Sequence, residues 1–236
     1  MSQIRKVAII GTGVIGAGWI IRCLAHNKIV YAYDKDLKLK KNLIAEIKRT
    51  WPYVKKLFNK KTLNLKNFKY FTSIEKALKD ADLIQECASE NYALKTKLMS
   101  TIGKYAKPNA IISSSSSGLL PTRIYSKCKN PERAMIGHPF NPVYLLPAVE
   151  IVPGKKTSKK FLDKAKNFYK SISIIDEVLE CYHITGKGDF LLKVATRDIA
   201  HYDQLVLHSL SALSNVQHLK TSVVLSTFKY KTKLTV

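Results

Sequence analysis

Apolar residues follow two different periods along this chain. Short runs such as "KVAII" (6–10) and "IVYAY" (29–33) are apolar without alternation, as expected of strands buried on both faces of a parallel sheet. Between and after them lie segments whose apolar residues recur three or four positions apart. "AGWIIRCLAHNK" (17–28), "YALKTKLMSTIGKYA" (92–106) and "SKKFLDKAKNFYKSI" (158–172) read as helices. In "LKLKKNLIAEIKRT" (37–50), Leu37, Leu39, Leu43, Ile44 and Ile47 mark one apolar face, and Asp36 is the expected N-cap. Trp51-Pro52 is expected to break or kink that helix before "YVKKLFNK" resumes it.

Downstream, "FKYF" (68–71) reads as a strand, and Thr72 with Glu75 as a capping box opening a short helix that ends near Lys79. "ADLIQECASE" (81–90) begins as a strand and ends in Glu86 and Glu90. "AIISSSSSG" (110–118) is a strand running into Ser113–Ser117, ahead of a helix-like "LLPTRIYSK". "RAMIGH" (133–138) and "AVEIV" (148–152) are further β-prone runs, and "SIIDEV" (173–178) is expected to be a last strand. Strands alternating with helices define the α/β class, here a doubly wound, Rossmann-type sheet.

The first βα turn carries candidate chemistry. "GTGVIG" sets Gly11, Gly13 and Gly16 in the G-x-G-x-x-G spacing, directly after a strand and opening a helix. Gly11 allows the tight turn, Gly13 lets backbone approach a pyrophosphate, and Gly16 lets helix lie close to strand. The amides around Val14 and Ile15 offer N–H groups and the positive end of the helix dipole to phosphates. Asp34 ends the second strand, about 20 residues on, where an acid bonds the adenosine ribose hydroxyls. A carboxylate there repels a 2′-phosphate, so NAD is expected over NADP, although Lys35 beside it weakens the preference. Residues 1–180 are therefore expected to form an NAD-binding Rossmann domain.

Lys and Arg number 40 against 17 Asp and Glu, a formal charge of +23. Such a balance fits a nucleic-acid or membrane-surface partner, or a solvated lysine-rich surface. The lysines are spread along most of the chain, with clusters at 35–69 and 155–166, and no zinc-finger spacing, basic zipper or aromatic RNA motif accompanies them. Neither nucleic acid nor membrane is therefore expected as a partner. Cys23, Cys87, Cys128 and Cys181 lie far apart and form no CxxC pair, so neither a metal site nor a disulfide framework is expected, and a cytoplasmic location is. The N-terminus resembles a signal peptide, but its glycines belong to the βα turn. No apolar run reaches the roughly 18 residues of a membrane-spanning helix.

The serine run occupies the position of a βα loop, where open parallel sheets hold their ligands. His138 ends the next strand at the same edge. A connector containing Pro139, Pro142 and Pro147 then leads to Glu150. A carboxylate bonded to one imidazole nitrogen fixes the tautomer, and the other nitrogen can then take a hydroxyl proton. A His that caps a loop and a Glu on a solvated face are the alternative.

"GTGVIGAGW", "ADLIQECASE", "SSSSSGLLPT" and "GHPFNPVYLLPAVE" together resemble the 3-hydroxyacyl-CoA dehydrogenase superfamily, from about residue 5 to about residue 170. Within it the likeness is to the carnitine-oxidising branch, which the Trp51-Pro52 pair also suits, with lambda-crystallin a near relative. The resemblance implies His138 as catalytic base, Glu150 as its partner and Ser117 as the serine contacting the substrate hydroxyl. It implies Glu90 and Lys95 on the nicotinamide side of the cofactor. It also implies oxidation of the 3-hydroxyl of L-carnitine to 3-dehydrocarnitine with NAD, or of a 3-hydroxyacyl-CoA.

In the family an all-helical second domain follows and forms a homodimer. Residues 171–236 do not match it, and "SVVLSTFKYKTKLTV" reads as β-prone. A remnant or divergent segment is expected over 181–236, mainly helical if folded. A poorly active, non-dimeric NAD binder is expected of such a chain. A different C-terminal module is the alternative.

Overall fold

The computed structural model describes residues 4–58, 62–172, 177–184, 190–211, 216, 218–226 and 228. Its centre is a seven-stranded sheet in the order β3-β2-β1-β4-β5-β6-β7. The strands are β1 (Lys6–Ile10), β2 (Ile29–Tyr33), β3 (Phe68–Phe71), β4 (Leu83–Glu86), β5 (Ile111–Ser114), β6 (Ala134–Pro139) and β7 (Val149–Pro153). All neighbours pair in parallel except β6 and β7, which run antiparallel. The chain leaves β1 towards β2 and β3, then returns to place β4 on the other side of β1. That reversal opens a crevice at the carboxyl ends of β1 and β4, where such sheets bind ligands.

The unalternated apolar runs are explained by burial on both faces. On β1, Val7 and Ile9 join one core cluster with Trp19, Ile20, Ile47 and Phe168. Ala8 and Ile10 join the other with Leu78, Met99, Ile102 and Ile124. Helices α1 (Val14–Ala25), α2 (Leu39–Leu57) and α6 (Lys159–Ile172) cover the first face. Helices α3 (Ile74–Leu78), α4 (Tyr92–Tyr105) and α5 (Pro121–Ile124) cover the second.

Three local expectations are corrected. Of the break or kink expected at Pro52, no break occurs: α2 is one helix from Leu39 to Leu57. The proline removes one amide donor, but Trp51, Val54 and Leu57 are buried on the same helix and their packing outweighs that loss. Asp36 stands before the helix rather than at its cap, its Oδ1 accepting the N–H of Lys38 at 2.8 Å. Helix α3 is capped by Ser73 rather than Thr72, because the Ser73 hydroxyl accepts the N–H of Lys76.

At the amino end of the sheet, Asp82 Oδ2 accepts the N–H groups of Arg5 at 2.9 Å and Lys6 at 2.8 Å. Its Oδ1 pairs with Lys107 Nζ. Burial opposes ionisation of this carboxyl, but the Lys107 bond and the two amides outweigh it and hold the group below the ordinary Asp value. A depressed carboxyl contributes stability above the unfolded pKa and loses it as pH falls through the folded one. Asp82→Asn is therefore expected to cost about 1 kcal/mol at pH 7, the scale of a charge-assisted hydrogen bond discounted for solvent. The difference should begin to shrink below about pH 4, where the unfolded carboxyl takes its proton first, and vanish once the folded one follows. Urea unfolding at pH 7 and pH 3 checks this, and an equal cost at both would be inconsistent with it.

Beyond α6 the segment expected to be mainly helical also contains a β-hairpin. Strand β8 (Val178–His183) pairs antiparallel with β9 (Phe190–Val194), so the expected boundary at 180 falls inside β8. The expected strand over 173–178 lies largely outside the described residues. Helix α7 (Ile199–Leu205) follows, capped by Asp198, then one π-turn over Val206–Leu210. Leu205 and Leu210 are buried in the first core cluster, and Val178, Phe190 and Val194 pack against it. The β-prone residues 222–226 adopt no regular structure. No described helix is long and apolar enough to cross a membrane.

Candidate active site

The glycine turn adopts the form its spacing predicts. Gly11 has φ +98°, a conformation that L side chains rarely adopt, and its N–H bonds Tyr33 O at 2.9 Å. A Cβ on Gly16 would lie 2.0 Å from Gly11 O, so turn and helix are in direct backbone contact there. A Cβ on Gly13 would meet nothing within 4 Å, because that glycine faces open space. Gly13 also caps α1 with no side-chain hydrogen bond, leaving the first amides, around Val14 and Ile15, without a capping side chain. Asp34 Oδ2 accepts the amide of Thr12 at 3.1 Å and its hydroxyl at 3.0 Å. The acid is thus fixed against the glycine turn, and Thr12 is a contributor that the glycine spacing does not reveal. An open glycine, uncapped helix amides and an anchored carboxylate fit the pyrophosphate and ribose of a dinucleotide.

At the other side of the crevice β6 brings His138 and β7 brings Glu150. The two are direct partners in the antiparallel ladder. Directly opposed residues project from the same face of a sheet, so the register itself sets the two side chains together. His138 Nδ1 lies 3.5 Å from Glu150 Oε2. That is ion-pair distance, but Nδ1 has no hydrogen-bond partner of good geometry. The Phe140 ring packs edge-on against the imidazole at 5.5 Å, and Phe190 of the hairpin packs on Phe140 at 5.2 Å. The C-terminal hairpin therefore supports the connector next to His138.

The serine run leaves β5 at the same edge. Ser117 is exposed, and Glu90 ties its loop down. Glu90 Oε1 accepts the N–H groups of Ser117 and Gly118, each at 3.1 Å, and the Ser116 hydroxyl. Burial opposes ionisation of Glu90, but these bonds and the Lys95 charge outweigh it and hold the carboxyl below its ordinary range. Lys95, expected to line the nicotinamide side, is only 1% exposed. Its ammonium bonds both Glu86 oxygens at 2.8 Å and reaches to 3.6 Å from Glu90 Oε2. Of the expected site residues, His138 with Glu150, Glu90 with the Ser117 loop, and Asp34 with the glycine turn are brought together. Lys95 lies behind them.

Two buried polar groups escape the sequence reading. Glu86 is wholly buried under the serine loop; the sequence signal is an acid directly after the apolar start of β4, with a lysine on the next helix. Gln85 Nε2 donates to Ser115 Oγ at 2.7 Å and Gly137 O at 2.9 Å, and Gln85 Oε1 accepts from the Tyr169 hydroxyl at 2.7 Å. Tyr169 thereby locks α6 onto the sheet, and burial pushes its phenol well up, so it serves as a neutral donor. The four cysteines are free, and no group of three His, Cys, Asp or Glu among the described residues could hold a metal ion.

A doubly wound sheet with an open glycine turn, an acid anchored against that turn and a His–Glu pair at the crevice defines a Rossmann-type, dinucleotide-binding domain. Residues 6–175 match the family described as 3-hydroxyacyl-CoA dehydrogenase, NAD binding domain, and the chain belongs to that family.

Two curated L-carnitine dehydrogenases are similar to it. That of Staphylococcus epidermidis is 40% identical over 198 residues, covering 83% of this chain and 61% of the relative. That of Oceanobacillus iheyensis is 42% identical over 197 residues, covering 84% and 64%. The chain thus spans about three fifths of the length of these relatives. Among solved structures, (S)-3-hydroxybutyryl-CoA dehydrogenase from Ralstonia eutropha superposes with TM-score 0.67 at 28% identity, covering 72% of this chain and 62% of that one. The 3-hydroxybutyryl-CoA dehydrogenase of Escherichia coli K12 gives 0.67 at 29%, covering 72% and 37%. Residues 156–234 also match the Lrp/AsnC ligand binding domain, so α6 lies within both matches.

Proposed function

We propose that this chain acts as an NAD-dependent dehydrogenase of a small 3-hydroxy acid, with L-carnitine oxidised to 3-dehydrocarnitine. The observation that carries the reading is the His138–Glu150 pair, opposed in the ladder at the crevice edge. NAD, when bound, supplies the hydride acceptor, and Gly11, Gly13, Gly16, the Val14 and Ile15 amides and Asp34 would hold it. His138 takes the hydroxyl proton, and Glu150 holds the imidazole on its other nitrogen and balances the charge that forms. The Ser117 hydroxyl orients the alcohol oxygen, on a loop kept in place by Glu90. Lys95 acts behind these groups. The names of the more similar relatives favour carnitine over a CoA thioester, which the more distant structural relatives take.

Absorbance of NADH during incubation with NAD and either L-carnitine or 3-hydroxybutyryl-CoA tests this. Formation with carnitine at least about tenfold faster is expected, a preference worth about 1.4 kcal/mol. Faster formation with the thioester would move the substrate to the CoA class, and no NADH from either would leave an NAD-binding domain without this chemistry.

The match of residues 156–234 favours a second role beside the first. In this reading the hairpin and α7, packed against the core that α6 shares, hold a small molecule. Hydrogen exchange with and without candidate metabolites checks it: protection within 178–210 is expected for a bound ligand. Protection confined to the crevice for every compound bound would count against this second role.

A further inference from the structure

Glu86 ends β4 with 0% exposure and Lys95 on α4 has 1%. A buried ion pair is a weak source of stability, because desolvation of both ions offsets their attraction, and apolar replacements of similar volume are often neutral or better. Packing alone therefore gives little reason for these two charges. Their hydrogen bonds do.

Two separate lines lead from this one carboxylate to the serine loop. In the first, Glu86 Oε2 accepts from Ser114 Oγ at 2.5 Å, and that oxygen accepts the N–H of Ser116 at 3.2 Å. In the second, Lys95 Nζ spans both Glu86 oxygens, bonds Ala88 O at 3.0 Å and faces Glu90. Glu90 in turn accepts from Ser116, Ser117 and Gly118. Glu86 Oε1 also accepts the Ala88 N–H at 2.6 Å, which fixes the loop between β4 and Glu90. The loops that follow β4 and β5 are thus joined through one buried anion. A fully satisfied polar network of this kind specifies a single geometry where apolar packing tolerates several.

We propose that Glu86 is a positioning residue: acting through Lys95 and Ser114, it sets the Glu90 carboxylate and the 115–118 loop at the crevice. It touches neither substrate nor cofactor. The importance of that loop for binding rests on the dehydrogenase reading, whereas its ordering by Glu86 does not.

The experiment compares the full chain with Glu86→Gln and with the double variant Glu86→Leu, Lys95→Met, which keeps the volume and removes both charges. Exchange of the Ser117 and Gly118 amides is followed by NMR, NADH affinity by fluorescence, and melting by circular dichroism. In both variants the two amides should exchange at least about tenfold faster and NADH should bind about tenfold more weakly, the scale of one charge-assisted hydrogen bond lost. The double variant should melt close to the parent. Wild-type protection and affinity in the double variant would overturn the proposal, as would unfolding of both variants, since either outcome would make the pair structural. A parent chain that fails to bind NADH would instead remove the dehydrogenase reading, while amide exchange would still decide the role of Glu86.

Discussion

His138→Ala is expected to lower the rate of NADH formation by about a hundredfold or more, within the range of a lost general base. Glu150→Gln should cost nearly as much, and the double variant little more than either, because groups acting as one unit lose their effect together. The geometry motivates the coupling. The two residues face one another across the β6–β7 ladder, with Nδ1 and Oε2 3.5 Å apart. The interaction is longer than a hydrogen bond, as is common before substrate draws the groups together. The Glu150 side chain is 59% exposed. An ion pair that open stabilises a fold by about 0–1 kcal/mol at most, so Glu150→Gln should leave the melting temperature and NADH affinity near their parent values. Steady-state rates for the four proteins, with those two controls, test the coupling. Losses that multiply independently would reduce Glu150 to a solvated strand residue.

The strand–turn–helix unit at the N-terminus was legible because every local signal agreed. The apolar run of β1, three spaced glycines and the acid at the end of β2 each require the same structure. The His–Glu pair was legible as a strand-end histidine and a glutamate within the next β-prone run. Its register was not, because the pairing of β6 with β7 is a non-local choice. Pro52 misled for the opposite reason. A local rule predicted a break or kink, and with Trp51, Val54 and Leu57 buried the helix does not break. Glu86 read as an ordinary charge and Lys95 as a residue on the nicotinamide side, since nothing in a single sequence shows that α4 turns its lysine inward onto the end of β4. The hairpin after α6 was hidden by the lack of a pattern matching the family's helical domain. Its alternation is short, and its inner residues acquire meaning only against the core around Phe140 and Leu205.

Gly16→Ala should abolish tight NADH binding and weaken the fold at once. The new methyl carbon would stand 2.0 Å from Gly11 O and 3.0 Å from Gly11 C. The obstacle is backbone, so no side-chain rotation relieves it. Either α1 tilts away from β1 or the glycine turn is displaced, and both move the Gly13 and Val14 amides that would hold the phosphates. Overpacking of this kind typically costs about 1–3 kcal/mol in stability. NADH affinity should fall by about a hundredfold or more, which corresponds to roughly 2.7 kcal/mol of lost binding. Gly13→Ala separates the two effects. Its Cβ would meet no protein atom within 4 Å, so the fold should melt as the parent does. Binding should still weaken, because the methyl occupies the side from which a pyrophosphate approaches. Fluorescence titration with NADH and thermal melts of the three proteins decide the matter. Parent-like affinity in Gly16→Ala would show that the turn shifts without moving the phosphate site. A lower melting temperature in Gly13→Ala would show that this glycine serves the fold and not the ligand.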